Sequence, residues 1–105
     1  MIKGIEYSPE SIEDLKQIEE YISVELGNKV SAEKIVDKII DKINTLSEFP
    51  EIGAPLSSRI SIKTDYRYLV CDNYNVFYRI ENDYVNITRI LNARRNFMQI
   101  LFGDK

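Results

Sequence analysis

The sequence predicts an α+β domain: a leading strand and a helix hairpin, then a three-stranded antiparallel meander and a short C-terminal helix. Three observations carry this. Two stretches in the first half repeat apolar residues at steps of three and four. Three later runs are rich in tyrosine and β-branched residues. Polar pairs, Asp72-Asn73 and Asn82-Asp83, separate those runs at hairpin spacing. Helices grouped before strands place the helices on one side of a mostly antiparallel sheet.

The segment Ile2 to Tyr7 alternates loosely and is read as the first strand. Ser8-Pro9 then opens a helix, because serine caps well and proline at the first helical position loses no hydrogen bond. Ser11 with Asp14 is a rival cap. Ile12, Leu15, Ile18, Ile22 and Leu26 form one apolar stripe, and Gly27-Asn28 ends the helix with residues that tolerate a left-handed conformation. Ser31 is expected to cap the second helix. Its stripe is Ile35, Val36, Ile39, Ile40, Ile43 and Leu46, and Phe49-Pro50 stops it. The short connection makes the two helices an antiparallel hairpin.

Residues 48–63, with Pro50, Gly53 and Pro55, read as a loop. Strands follow over Tyr66–Cys71, Tyr74–Glu81 and Tyr84–Leu91. In the middle strand Tyr74, Val76, Tyr78 and Ile80 share one face, with Asn75, Phe77 and Arg79 on the other. In the last, Val85, Ile87, Arg89 and Leu91 are expected on one face. Phe97, Ile100 and Leu101 suit a short helix packed on the sheet.

The totals narrow the function. The 105 residues fit a single domain over 1–105, with 44% hydrophobic and 30% charged residues, an ordinary globular composition. No apolar run is long enough for a membrane span, the N-terminus lacks the apolar core of a signal peptide, and the lone Cys71 suits a reducing cytoplasm. Histidine is absent, which excludes Ser-His-Asp and Cys-His catalysis and, with one cysteine, argues against a zinc site. No metal and no cofactor are expected.

Charge is segregated. Residues 1–58 carry 6 lysines against 12 acids, whereas residues 59–95 carry 7 cations against 4 acids. All six arginines, Arg59, Arg67, Arg79, Arg89, Arg94 and Arg95, fall in the second segment. A planar guanidinium forks well onto phosphate or carboxylate, so these residues and Tyr74 are candidate binding residues. The plainer reading is that Arg67 and Arg79 pair with Asp65, Asp72, Glu81 or Asp83 across strands, that Arg94 and Arg95 flank the last helix, and that Cys71 fills the core.

Four stretches, in this order, resemble the RelE/ParE superfamily of bacterial type II toxin–antitoxin toxins. They are Leu46-Ser47-Glu48-Phe49-Pro50-Glu51-Ile52-Gly53, Tyr66-Arg67-Tyr68-Leu69-Val70, Tyr74-Asn75-Val76-Phe77-Tyr78-Arg79-Ile80 and Ile90-Leu91-Asn92-Ala93-Arg94-Arg95. The resemblance covers nearly the whole chain. It implies a cytoplasmic, growth-arresting toxin of a plasmid-stabilisation module, neutralised by a cognate antitoxin and free as a monomer or dimer. Two branches differ in target. RelE-like members are ribosome-dependent endonucleases that cut mRNA, and ParE-like members poison DNA gyrase. A third possibility is a member that only binds its antitoxin. Under the nuclease reading Arg67 and Arg94 are the catalytic residues, but Leu69, Asn75 and Ile100 stand where that branch has a basic residue, an arginine and a tyrosine. The chain is therefore similar rather to the ParE branch. The resemblance also implies that the arginine-bearing meander meets the target or the antitoxin through Arg59, Arg67, Arg79, Arg89, Arg94, Arg95 and Tyr74.

Overall fold

A computed structural model describes residues 1–103 of the chain. In order it contains β1 (Gly4–Tyr7), α1 (Pro9–Glu20), α2 (Lys29–Asn44), β2 (Ala54–Pro55), β3 (Arg67–Cys71), β4 (Tyr74–Glu81), β5 (Tyr84–Asn92) and α3 (Phe97–Phe102). The strands form one sheet in the order β1-β5-β4-β3-β2. Only the β1–β5 pair is parallel, because α1 and α2 lie between β1 and the meander in the chain.

Ser8 caps α1, accepting from Ser11 N–H at 3.0 Å, and Pro9 opens the helix. Ser11, the rival, is buried and donates to the Ser8 carbonyl. A π-helical turn, Tyr21–Glu25, continues α1, and Gly27 follows with φ +64°. The cap of α2 is not Ser31. Asn28 accepts from Ser31 N–H at 3.0 Å, so the helix begins one turn earlier than expected. An asparagine after a left-handed glycine can close one helix and open the next, which makes the hairpin connection very short.

Ile39, Ile43 and Leu46 of the second stripe are fully buried, joined by Ala32, while Ile18 and Ile22 carry the first. They cover the sheet face of Leu69, Cys71, Val76, Tyr78, Val85, Ile87 and Ile90. Each such large side chain contributes roughly 1.5–3 kcal/mol through burial. The opposite face is smaller. There Leu56, Phe77 and Leu91 are packed by Phe97, Ile100 and Leu101 of α3. The loop over 48–63 also holds the two-residue β2, which pairs with Arg67 and Tyr68.

The face expected for β5 is corrected. The register shifts between Phe77 and Tyr78: Tyr78 pairs with Ile87 and Phe77 with Arg89, leaving Thr88 as an extra residue. This β-bulge inverts the alternation beyond it. Ile90 therefore joins Val85 and Ile87 in the helix-side core, and Leu91 turns to the α3 side.

Candidate partner-binding site

The sheet does not gather the six arginines. Arg59 stacks over Tyr68 and Phe97, 5.2 and 5.4 Å from their ring centroids, on the α3 side. Arg79 forks onto Asp65 at 2.8 and 3.2 Å and lies over Tyr66, the cross-strand pairing that the plainer sequence reading expected. The fork holds the Asp65 carboxyl below its ordinary range. Arg67 is in register with Tyr78 and spends one guanidinium nitrogen on the carbonyls of Glu51 and Gly53, at 3.2 and 2.7 Å. Arg89 grips Asp14 of α1 with two 2.8 Å hydrogen bonds. Arg94 and Arg95 are exposed in the β5–α3 turn.

Those last two border a concave groove. Two adjoining cavities, of about 380 and 390 Å³, run between the end of α1 with its π-turn and the start of β4. They share Tyr21, Tyr74 and Asn92. One adds Ile18, Ile90 and Arg95, and the other Leu26, Ile35 and Arg94. These apolar residues share the lining with Asp14 and Gln17 in one cavity and Asp72 and Asn73 in the other, and each cavity has an arginine in its lining.

Asn92 organises this rim. Its Oδ1 accepts from Arg94 N–H at 2.9 Å, its carbonyl accepts from Arg95 N–H at 2.9 Å, and its side chain lines the groove beside Tyr74. Ala93 N–H donates to the Asn73 carbonyl at 2.7 Å and ties the turn to the β3–β4 hairpin. The backbone under Arg94 and Arg95 is therefore fixed while their side chains remain exposed. Burial pushes the Tyr74 phenol above its ordinary value, with Tyr21 adding to the shift and the Asn92 side chain opposing it. A neutral phenol is a hydrogen-bonding and stacking group near pH 7, not a base. Asp14 also lines the groove, but Arg89 and Ile90 N–H occupy its oxygens. This arrangement suits binding an amphipathic segment with acidic groups rather than acid–base chemistry.

Sequence reading named Tyr74, Arg94 and Arg95 but missed Asn92 and Tyr21. Asn92 sits at the end of a strand beside a turn, where a side-chain cap is common. Tyr21 lies outside the apolar stripe and is 54% exposed, a feature visible only once the hairpin is folded. Among the described residues no group of three or more His, Cys, Asp or Glu could hold a metal ion, and no helix is long and apolar enough to cross a membrane.

Comparison with known proteins gives this geometry a setting. Residues 5–97 match the family model described as ParE toxin of type II toxin-antitoxin system, parDE. The chain belongs to the ParE toxin family. No curated protein is significantly similar to it in sequence. Among solved structures, the ParE-family chain is similar to one from the chromosomal ParDE system of P. aeruginosa, with 21% identity over 85% of this chain and 94% of that one, and a TM-score of 0.71. It is also similar to a chain of the intact E. coli RelBE toxin–antitoxin complex, with 12% identity, coverage of 87% and 96%, and a TM-score of 0.55. A chain of the heterotetrameric YoeB–YefM complex of Staphylococcus aureus is 16% identical, with coverage of 85% and 93% and a TM-score of 0.51. These likenesses establish the shared RelE/ParE-like fold.

The positions expected from the resemblance to matter in a nuclease, Arg67, Asn75 and Ile100, lie apart in this ParE-family chain. Arg67 aligns with Tyr78, whose side chain is in the helix-side core, and its guanidinium is committed to loop carbonyls. Asn75 is buried and aligns with Leu91, on the α3 side. Ile100 packs into that same second cluster.

Proposed function

We propose that this ParE-family toxin arrests bacterial growth by inhibiting DNA gyrase and is neutralised by a cognate antitoxin. The observation that carries the target choice is the dispersal of the nuclease positions over two faces of the sheet. Phosphodiester cleavage without a metal needs a base or acid and a cation converging on one phosphate. Arg67 is bound to main-chain carbonyls, Asn75 is neutral and buried, and Ile100 is apolar. The net charge of −3 is also a poor match for ribosomal RNA.

The antitoxin is proposed to lay an amphipathic segment along the Tyr21–Tyr74–Asn92 groove. Its apolar side chains would cover Ile18 and Leu26, and its acids would pair with Arg94 and Arg95. Solved relatives in ParDE, RelBE and YoeB–YefM assemblies support an antitoxin partner.

A supercoiling assay with purified gyrase tests the target. Inhibition at micromolar toxin is expected, and its absence overturns the reading. Primer extension on translated mRNA covers the other branch: cleavage in the ribosomal A site would assign this chain to the endonucleases instead.

A further inference from the structure

At the far end of the hairpin from the groove, the loop after α2 shows Phe49 and Ile52 to solvent, 59% and 58% exposed. Isolated exposed apolar residues are common on protein surfaces and need no explanation. These two differ in how they are held. The Tyr78 hydroxyl, in the fully buried side chain of β4, donates to the Pro50 carbonyl at 2.7 Å and accepts from Gly53 N–H at 3.0 Å. Arg67 donates to the carbonyls of Glu51 and Gly53. Ile52 N–H closes the turn onto the Phe49 carbonyl at 3.1 Å. Two large residues of the sheet are thus committed to the backbone of a five-residue loop whose apolar side chains touch little of the core. A preorganised apolar pair loses little freedom on binding, which is what a docking anchor needs.

The charge around the pair selects its partner. Glu48 and Glu51 flank it, both exposed, and the first 58 residues carry twice as many acids as cations. Nucleic acid is repelled by that rim. A second copy meeting this face about a two-fold axis would set the same carboxylates against each other. An acidic antitoxin segment is drawn to Arg94 and Arg95 at the other end of α2, whose 16 residues span about 24 Å. The complement is a protein surface with an apolar socket rimmed by lysine or arginine.

We propose that Phe49 and Ile52, rimmed by Glu48 and Glu51, form the anchor by which this toxin docks on its protein target. The inference rests on the toxin reading above but not on gyrase being the target. It assigns target and antitoxin to opposite ends of the hairpin.

The test expresses full-length toxin, the F49A/I52A variant and the E48K/E51K variant in bacteria and follows growth, with melting temperature as the control for folding. Both variants are expected to stay folded and to lose growth arrest. In any assay of target inhibition they should need at least tenfold more protein. Arrest equal to wild type by a folded F49A/I52A variant overturns the proposal. Should that variant unfold, the charge reversal decides alone, since neither glutamate side chain is part of the loop's hydrogen bonds: undiminished arrest by E48K/E51K overturns it. Wild-type arrest without gyrase inhibition removes gyrase as the target and leaves the growth comparison to decide the anchor. A wild-type chain that arrests nothing overturns both.

Discussion

Asp14 and Arg89, 75 positions apart in the chain, are joined by two 2.8 Å hydrogen bonds, and the same carboxylate accepts from Ile90 N–H at 2.9 Å. The arrangement closes a gap in the sheet. β1 ends at Tyr7 opposite Ile87, so the edge of β5 beyond the bulge has no strand beside it. Asp14 supplies from α1 the acceptor that a longer β1 would have offered to Ile90. The pair therefore fixes how the helix hairpin sits on the sheet, next to the groove.

Replacing Asp14 by alanine should destabilise the fold by about 3 kcal/mol, since it leaves a buried N–H and a mostly buried guanidinium without their acceptor. In a domain of this size that lowers the melting temperature by more than about 10 °C. Asp65→Asn is the contrast. That pair is 40% and 65% exposed, so its loss should cost about 1 kcal/mol or less. The Asp65 contribution is present above the ordinary carboxylate pKa of 3.8 and fades as pH falls through the lower folded value. Thermal melts of both variants at pH 7 and of Asp65→Asn at acid pH check the ordering.

Tyr78 predicts the alkaline limit. Burial pushes its phenol above the ordinary value of 10.0, against the smaller opposing effects of the Gly53 N–H and Arg67. The folded state then holds the proton more tightly than the unfolded chain. Its contribution is fully present below pH 10.0 and is lost as pH rises toward the folded value. Stability should therefore drop above about pH 10. Tyr78→Phe should lose about 1–2 kcal/mol at pH 7, because Pro50 and Gly53 lose their buried partner, and should show a shallower alkaline decline. An equal alkaline slope in the variant would remove Tyr78 as the cause.

Gly53 is required by a contact rather than by its backbone angle. A Cβ there would overlap the Tyr78 hydroxyl and lie 2.9 Å from the Tyr68 carbonyl oxygen. Backbone cannot move away cheaply, so Gly53→Ala should cost at least about 1–3 kcal/mol. Combining it with Tyr78→Phe should cost less than the sum of the two single changes, since the phenylalanine lacks the nearest clashing atom and keeps only the ring carbon at 2.7 Å. A double-mutant cycle by chemical denaturation measures that coupling.

The helices, the meander and its two-residue turns were legible because each rests on local periodicity and turn chemistry. Asp72, Asn82 and Asp83 do adopt the positive φ that such turns need. The bulge at Thr88 was not legible, since nothing in Ile87-Thr88-Arg89-Ile90 marks which residue drops out of register. That single shift moved Leu91 to the other face. Ser31 was read as a cap because the rule looks for serine, while Asn28, already assigned to the end of α1, does both jobs. For the site, residue type pointed to the arginines, but their partners lie up to 75 positions away, and only the folded chain separates the occupied guanidiniums from the exposed ones. Asp14 left a trace: four residues before Ile18 and eight before Ile22, it is a carboxylate on an otherwise apolar helix face.

The groove makes the last prediction. Arg94 and Arg95 are exposed, and the turn that carries them is held by Asn92 and Ala93 backbone contacts rather than by the guanidiniums. Removing both side chains should therefore leave the melting temperature within a few degrees of wild type. Affinity for an acidic antitoxin segment should fall about 10–100-fold, and the loss should shrink as salt rises, because screening weakens the wild-type interaction most. Asn92→Ala acts differently. It removes the acceptor that holds the Arg94 N–H and a side chain of the groove lining beside Tyr74, so it should weaken binding with both arginines still present. Titration calorimetry of the three proteins at two salt concentrations separates the cases. If Arg94→Ala/Arg95→Ala binds as tightly as wild type while Asn92→Ala does not, the groove recognises shape and its arginines are incidental; if the double variant unfolds, the two residues return to a structural role.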